Sequence, residues 1–380
     1  MLAPPTGRND ASPAAPTGTS ATGPGNRPAH VTLLEALPEP VLLLGDDLRI
    51  LHANRAAVDL LGPDLANRPV LALIRQPEAI AALERALGLP ADARTEARFI
   101  HSTPGAQTVF RLVAHRLPGP AAEREVPAGL VLSFLDISHI EEAEQMRRDF
   151  VANVSHELRS PLTVLSGFIE TLRGAARDDT EARDRFLDIM AQEAQRMNRL
   201  VEDLLSLSKV EGSERMRPRD TVVMSDVIHT TIAALRPQMI DGGVRVDYDR
   251  GGAGAEDHRL LGDRDQLIQV FHNLVENAIK YGGAGGEVRI EERLLAGAPW
   301  ITGPVLELRV IDRGEGIDPV HLPRLTERFY RVDTHRSREM GGTGLGLAIV
   351  KHIVNRHRGR LLLESARGEG ATVTVQLPAL

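Results

Sequence analysis

The stretch Phe150-Val-Ala-Asn-Val-Ser-His156-Glu157-Leu-Arg-Ser160-Pro161-Leu162 puts a histidine and an acid side by side in an apolar, helix-patterned segment. Phe150, Val154 and Leu158 recur every four residues and share one helix face. His156 and Glu157 flank that stripe, where a neutral imidazole can act as a nucleophile with a carboxylate at hand. Ser160 lies one turn beyond His156 on the same face. Pro161 cannot continue the hydrogen-bond ladder, so a kink is predicted just past the histidine. Taken alone, His-Glu reads more readily as a half-exposed helical histidine with a solvated glutamate, and the rest of the chain has to decide.

Asp265-Gln-Leu-Ile-Gln-Val-Phe-His-Asn273-Leu-Val-Glu-Asn277-Ala-Ile-Lys280-Tyr281 reads as an amphipathic helix with Leu267, Val270, Leu274 and Ala278 on its buried side. Asn273 and Asn277 are four apart and project from one face. With Lys280 one turn on, the two carboxamides can hold a hydrated magnesium ion and the phosphates bound to it. Leu306-Glu-Leu-Arg-Val-Ile-Asp312 alternates as a buried strand and delivers Asp312 into Gly314-Glu-Gly316. A carboxylate there can accept a hydrogen bond from an exocyclic amine such as adenine's, and the glycines let the backbone approach the base. Gly341-Gly342-Thr343-Gly344-Leu345-Gly346-Leu347 opens a further helix, the arrangement of an anion site at a helix N-terminus. The P-loop pattern is absent, and the glycine spacing does not fit a dinucleotide fold.

The first stretch closely resembles the H box of sensor histidine kinases, and its continuation through Thr163-Val-Leu-Ser-Gly167-Phe168-Ile-Glu-Thr-Leu172 resembles the PhoR type. The three downstream blocks resemble, in order, the N, G1 and G2 boxes of the GHKL ATPase fold, with Phe329-Tyr330-Arg331 matching the F box between them. The resemblance covers nearly all of the chain from about residue 30. It implies phosphorylation of His156 from ATP, with Glu157 accepting or orienting the other imidazole proton. It also implies Mg²⁺ on Asn273 and Asn277, and Tyr281 stacked on the base. Lys280, Arg331 and the Gly342–Gly346 backbone, including Thr343, Gly344 and Leu345, would face the phosphates. The phosphoryl group would pass to an aspartate of an OmpR/PhoB-type response regulator.

Two positions depart from the family. Ser160 replaces the usual Thr or Asn, a residue that positions water for the reverse, phosphatase reaction, so retention of that activity is expected. His357-Arg358-Gly359 replaces His-Gly-Gly, for which only a local turn change is expected.

Composition narrows the classes. A net charge of −7 argues against direct nucleic-acid binding. The absence of Cys removes disulfides and thiolate metal sites. No run approaches the roughly 18 apolar residues of a membrane span, nor is a signal peptide visible. The expected location is the cytoplasm, free or peripheral to the inner membrane.

The expected architecture is multidomain α/β. Residues 1–29 hold six Pro and four Gly and almost no large apolar side chain, so a disordered tail is predicted. Residues 30–137 show strand, turn and strand, then a short helix after Ala53-Asn54, with later strands at 108–117 and 129–135. That order resembles a PAS sensory domain of α+β type. His52, His101 and His115 read as surface or strand histidines in preference to haem ligands. Residues 138–214 are predicted to form two long helices, each with one apolar stripe, that dimerise into a four-helix bundle. Residues 215–380 would form the α/β sandwich that binds ATP, covered by a lid from about 313 to 342. A gyrase-like GHKL ATPase would lack the His156 hairpin. A degenerate scaffold would show losses at Asn277, Asp312 or Gly344, and none is lost. A phosphate-starvation stimulus follows by family association, arriving through an intracellular ligand or a transporter-linked partner protein.

Overall fold

The computed structural model describes residues 28–118, 128–213, 216–251, 257–282, 286–332 and 342–380. The predicted tail up to residue 27 and the lid segment 333–341 lie outside the described residues. The chain divides into two compact units, residues 1–148 and 149–380.

In the first unit, helix α1 (Ala29–Glu35) precedes strands β1 (Val41–Leu44) and β2 (Ile50–Ala53), helices α2 (Arg55–Leu61) and α3 (Pro77–Gly88), and strands β3 (Arg94–Thr103), β4 (Ala106–Leu117) and β5 (Gly129–Asp136). The strands form one antiparallel sheet in the order β2-β1-β5-β4-β3. Phe99, Phe110 and Phe134 fill its interior, with Phe134 meeting Phe99 and Phe110 edge-on at 5.5 and 6.2 Å. The Ala53-Asn54 turn has a specific structural task. The fully buried Asn54 amide accepts N–H groups from Val41 and Ala57, at 2.9 and 3.0 Å. It also donates to the Leu34, Leu37 and Glu39 carbonyls. One side chain thereby caps α2 and joins α1 to β1. Strand β3 was not predicted, although Ala97 and Phe99 alternate with Glu96 and Arg98; its charged outer face masks the apolar one.

In the second unit, α4 (Ser138–Arg173), which begins in the first, and α5 (Thr180–Ser213) are joined by residues 174–179, where Asp179 caps α5 through the Ala182 N–H at 3.0 Å. Phe168 and Phe186 stack across the pair at 4.8 Å. The helix is continuous through Pro161, which is buried. Among the described residues no helix is long and apolar enough to cross a membrane.

The rest of the unit comprises β6 (Thr221–Val223), α6 (Met224–Gly242), β7 (Arg245–Asp249), β8 (Arg259–Leu261), α7 (Arg264–Gly282), β9 (Glu287–Leu295), β10 (Val305–Asp312), α8 (Gly346–Arg356), β11 (Arg360–Ser365) and β12 (Ala371–Pro378). Its main sheet runs β11-β12-β10-β9-β7, so the last strand lies in the interior, between β11 and β10. Leu267, Val270, Phe271 and Leu274 of α7 and Ile349, Val350 and Ile353 of α8 share one core with Val288, Leu308 and Val375 of the sheet.

Just past α8 the departure is Arg358, and the His357 before it, which matches the family pattern, does more than shape a turn. Its ring is buried: Nε2 accepts the Asp263 N–H at 3.0 Å while Nδ1 donates to the Ile353 carbonyl at 2.8 Å. It therefore clasps the start of α7, the asparagine helix, to the end of α8. Arg358 beside it takes a left-handed conformation, φ 60°. Burial, above all, holds the imidazole below its ordinary pKa of 6.5, so the unfolded chain takes up that proton more readily. Its stabilisation is full above about pH 6.5 and is lost on acidification through the lowered folded value. His357→Ala is expected to destabilise the fold by roughly 2–4 kcal/mol at neutral pH and to remove part of the acid-side loss; urea melts from pH 5 to 8 measure both.

Candidate active site

β10 is hydrogen-bonded along both edges, to β12 and β9, and buries Leu306, Leu308 and Val310. That fixes Asp312 at its end. Asp312 Oδ1 accepts N–H groups from Gly314 at 2.9 Å and Ala371 at 3.3 Å. Burial pushes the carboxyl above the ordinary aspartate range, against those two bonds, which lower it. The close approach expected at this turn comes from both sides. A Cβ on Gly314 would lie 2.5 Å from the Tyr281 carbonyl oxygen, and one on Gly282 would lie 2.4 Å from the Asp312 Cβ.

With the apolar side of α7 buried, its polar side faces a cavity of about 690 Å³. Asn273, Asn277, Lys280 and Tyr281 line it, as do Asp312, Gly316, Arg331, Gly342, Thr343, Gly344 and Gly346. Gly314 and Leu345 do not: Gly314 backs Asp312, and the fully buried Leu345 anchors the glycine turn in the core. Asn273 Nδ2 donates to the Gly346 carbonyl at 3.3 Å, tying α7 to that turn. Gly344 adopts φ +73° and accepts the Phe329 N–H at 2.8 Å; a Cβ there would sit 2.9 Å from Phe329 Cα, so the tight turn needs glycine. Lys280 pairs with Glu276 at 2.9 Å.

Among the described residues the wall carries seven Asp and Glu against three Lys and Arg. A polyanionic ligand entering here needs a counter-cation. The Asn273 and Asn277 carboxamide oxygens are the hard donors that a hydrated Mg²⁺ accepts, so the site fits that ion.

His156 and Ser160 are exposed on α4 and lie outside the cavity lining. Glu157 connects them to it. Its Oε2 accepts hydrogen bonds from Arg196 of α5 at 3.0 Å and from Arg331 of the cavity wall at 3.2 Å. Nearby, the Phe150 and Phe329 rings pack at 6.0 Å, and Arg328 lies over Phe150 and pairs with Glu211.

The sequence reading missed the contribution of α5. Arg199, Glu202 and Asp203 line the cavity, and the Thr343 hydroxyl donates to Asp203 Oδ2 at 2.6 Å. Burial, first of all, pushes the Asp203 carboxyl above its usual range. A signal existed, because Asp203 sits on the apolar stripe between Leu200 and Leu207, where a solvated carboxylate does not belong.

Residues 262–380 match the histidine kinase-, DNA gyrase B- and HSP90-like ATPase family, residues 146–213 the His Kinase A phospho-acceptor domain, and residues 31–94 the PAS domain. The chain is 37% identical over 353 residues to the phosphate regulon sensor protein PhoR of Pseudomonas aeruginosa, covering 89% of this chain and 72% of that protein. It is 38% identical over 245 residues to the sensor-like histidine kinase SenX3 of Mycobacterium tuberculosis (strain H37Rv), covering 64% and 57%. With the sensor protein kinase WalK of Staphylococcus epidermidis (strain RP62A) it shares 37% identity over 250 residues, 66% of this chain and 39% of that one. The histidine kinase ThkA, solved in complex with the response regulator protein TrrA, superposes with a TM-score of 0.49 at 22% identity, covering 92% of this chain and 98% of that one.

Proposed function

The chain belongs to the sensor histidine kinases, and on that premise we propose a specific division of work among its residues. The enzyme is an ATP-dependent protein histidine kinase with a PAS domain, a phospho-acceptor domain and an ATPase domain. In our reading these domains occupy residues 30–137, 138–214 and 215–380. ATP binds in the cavity with its adenine against Asp312 and the Gly314–Gly316 turn, and with Tyr281 beside the base. Asn273 and Asn277 would hold Mg²⁺, which when bound offsets phosphate charge, while Lys280, Arg331 and the Gly342–Gly346 backbone face the phosphates. A His156 ring nitrogen attacks the γ-phosphorus; the bond to the bridging oxygen breaks, and ADP leaves with the electron pair. Glu157 takes or orients the proton on the other ring nitrogen. The phosphoryl group then moves to an aspartate of a response regulator of PhoB/OmpR type.

The observation that carries this reading is Arg331: one guanidinium lines the nucleotide cavity and also reaches the carboxylate beside His156. The same contact restrains Glu157, which becomes available to the imidazole when Arg331 turns to the phosphates. Leu162, Ile169, Leu187 and Leu205 remain exposed on α4 and α5 and supply the apolar stripe for a homodimer. The likeness to a phosphate regulon sensor supports a phosphate-starvation input, delivered through a transporter-linked partner protein.

Purified kinase labelled from [γ-³²P]ATP and mixed with the regulator tests the transfer, and label that stays on the kinase would contradict it. Ser160 tests the reverse direction. It shares a helix face with His156, so its hydroxyl can orient a water toward the regulator's phospho-aspartate. Ser160→Ala is expected to slow dephosphorylation of the regulator about three- to tenfold, the size of one net hydrogen bond of about 1 kcal/mol, while sparing autophosphorylation. Ser160→Thr should hold or raise the rate, since a β-branched side chain is stiffer at χ1. Dephosphorylation by Ser160→Ala at the parent's rate would remove Ser160 from the mechanism.

A further inference from the structure

Asp203 belongs by sequence to the helical hairpin, 140 residues from Thr343, yet it forms part of the cavity wall beside the glycine turn. Thr343 sits in the glycine turn whose backbone leads into α8. Its hydroxyl has two engagements: it accepts the Leu345 N–H at 3.3 Å and donates to Asp203 Oδ2 at 2.6 Å. A hydroxyl has one proton to donate, so it serves either the Asp203 carboxylate or a phosphate oxygen. Glu202 and Glu276 stand on the same wall. A phosphate arriving at the glycine turn therefore meets a fixed negative charge that already holds the donor it needs.

We propose that Asp203 is an internal competitor of the nucleotide's phosphates. It holds the glycine turn against α5, and phosphate binding displaces it, loosening the ATPase domain from the hairpin that carries His156. This rests on reading the cavity as the nucleotide site. It makes nucleotide occupancy and release of the ATPase domain one event, since the same hydroxyl cannot satisfy both anions.

The test uses the full-length chain and two ligands, adenosine and the magnesium complex of AMPPNP, titrated by calorimetry into the parent, Asp203→Asn, Asp203→Ala and Asn277→Ala. Removing the competing charge is expected to tighten Mg·AMPPNP binding by more than about twofold and up to about fivefold, the upper size of one partly exposed charge interaction. Adenosine affinity should stay within about twofold, since adenosine has no phosphate to compete. The gain should shrink as salt rises, because the competition is electrostatic. Mg·AMPPNP affinity in both Asp203 variants within twofold of the parent, or weaker, overturns the proposal. So does loss of adenosine binding in both, which would make Asp203 part of the scaffold. If Asn277→Ala leaves Mg·AMPPNP binding unchanged while the Asp203 variants tighten it, the fault lies in the assignment of the asparagines. If the parent binds neither ligand, the nucleotide reading itself fails and takes the proposal with it.

Discussion

His156→Ala is expected to reduce phosphate incorporation from ATP to background, a loss of more than about a thousandfold, as when the nucleophile of a covalent mechanism is removed. The side chain is exposed on α4 and supports no part of the core, so the substitution carries no folding cost beyond a few tenths of a kcal/mol. The cavity proposed to hold the nucleotide is built from α7, β10, the glycine turn and α5, not from the face of α4 that carries His156. Mg·ATP affinity should therefore stay within about twofold of the parent, roughly 0.4 kcal/mol. Radiolabelling and calorimetry on the same preparation separate the two effects. Label retained on the His156→Ala chain would mean that another residue receives the phosphate.

The second large effect is expected at Asp312. Asp312→Asn changes shape least and hydrogen-bonding most. The amide oxygen can keep the N–H groups of Gly314 and Ala371. The amide NH₂ then faces the exocyclic amine of adenine, donor against donor. A mismatched polar pair in a partly buried site costs about 3 kcal/mol, so nucleotide affinity should fall about a hundredfold. Adenosine should lose as much as ATP, because the contact is to the base. An equal loss for inosine, which carries an oxygen where adenosine carries the amine, would contradict the role given to the carboxylate.

Much of the site was legible because it rests on short-range pattern. The four-residue spacing of Asn273 and Asn277 and the alternation that ends in Asp312 are local, and all three side chains line the cavity. Asp203 shows in the sequence only as an acid misplaced on an apolar stripe, and Arg196 not at all, because their partners lie on elements far apart in sequence. Arg331 reaches Glu157 across 174 residues and His357 reaches Asp263 across 94; periodicity carries no record of such pairings. In the first unit, Asn54 was noticed as part of a turn, but its five hydrogen bonds depend on where α1 and β1 come to lie. Strand β3 was obscured because its exposed face alternates Arg94, Glu96 and Arg98, which outweighed the smaller apolar signal of Ala97 and Phe99.

Glu157 marks where chemistry and conformation meet. With two guanidinium groups on one oxygen, it is poorly placed to accept a proton from His156. In the proposed mechanism Arg331, shared between that carboxylate and the cavity, would make the base depend on the nucleotide. Phosphoryl transfer and nucleotide occupancy would then be coupled through a single side chain.

The central claim is that ATP bound in this cavity phosphorylates His156. The most direct measurement is the stability and position of the phosphate on the parent chain after incubation with [γ-³²P]Mg·ATP. The label is expected to survive alkali, to be lost in acid, and to map to the peptide containing His156. Label that survives acid, or that maps to a peptide without His156, would mean that another residue receives the phosphate.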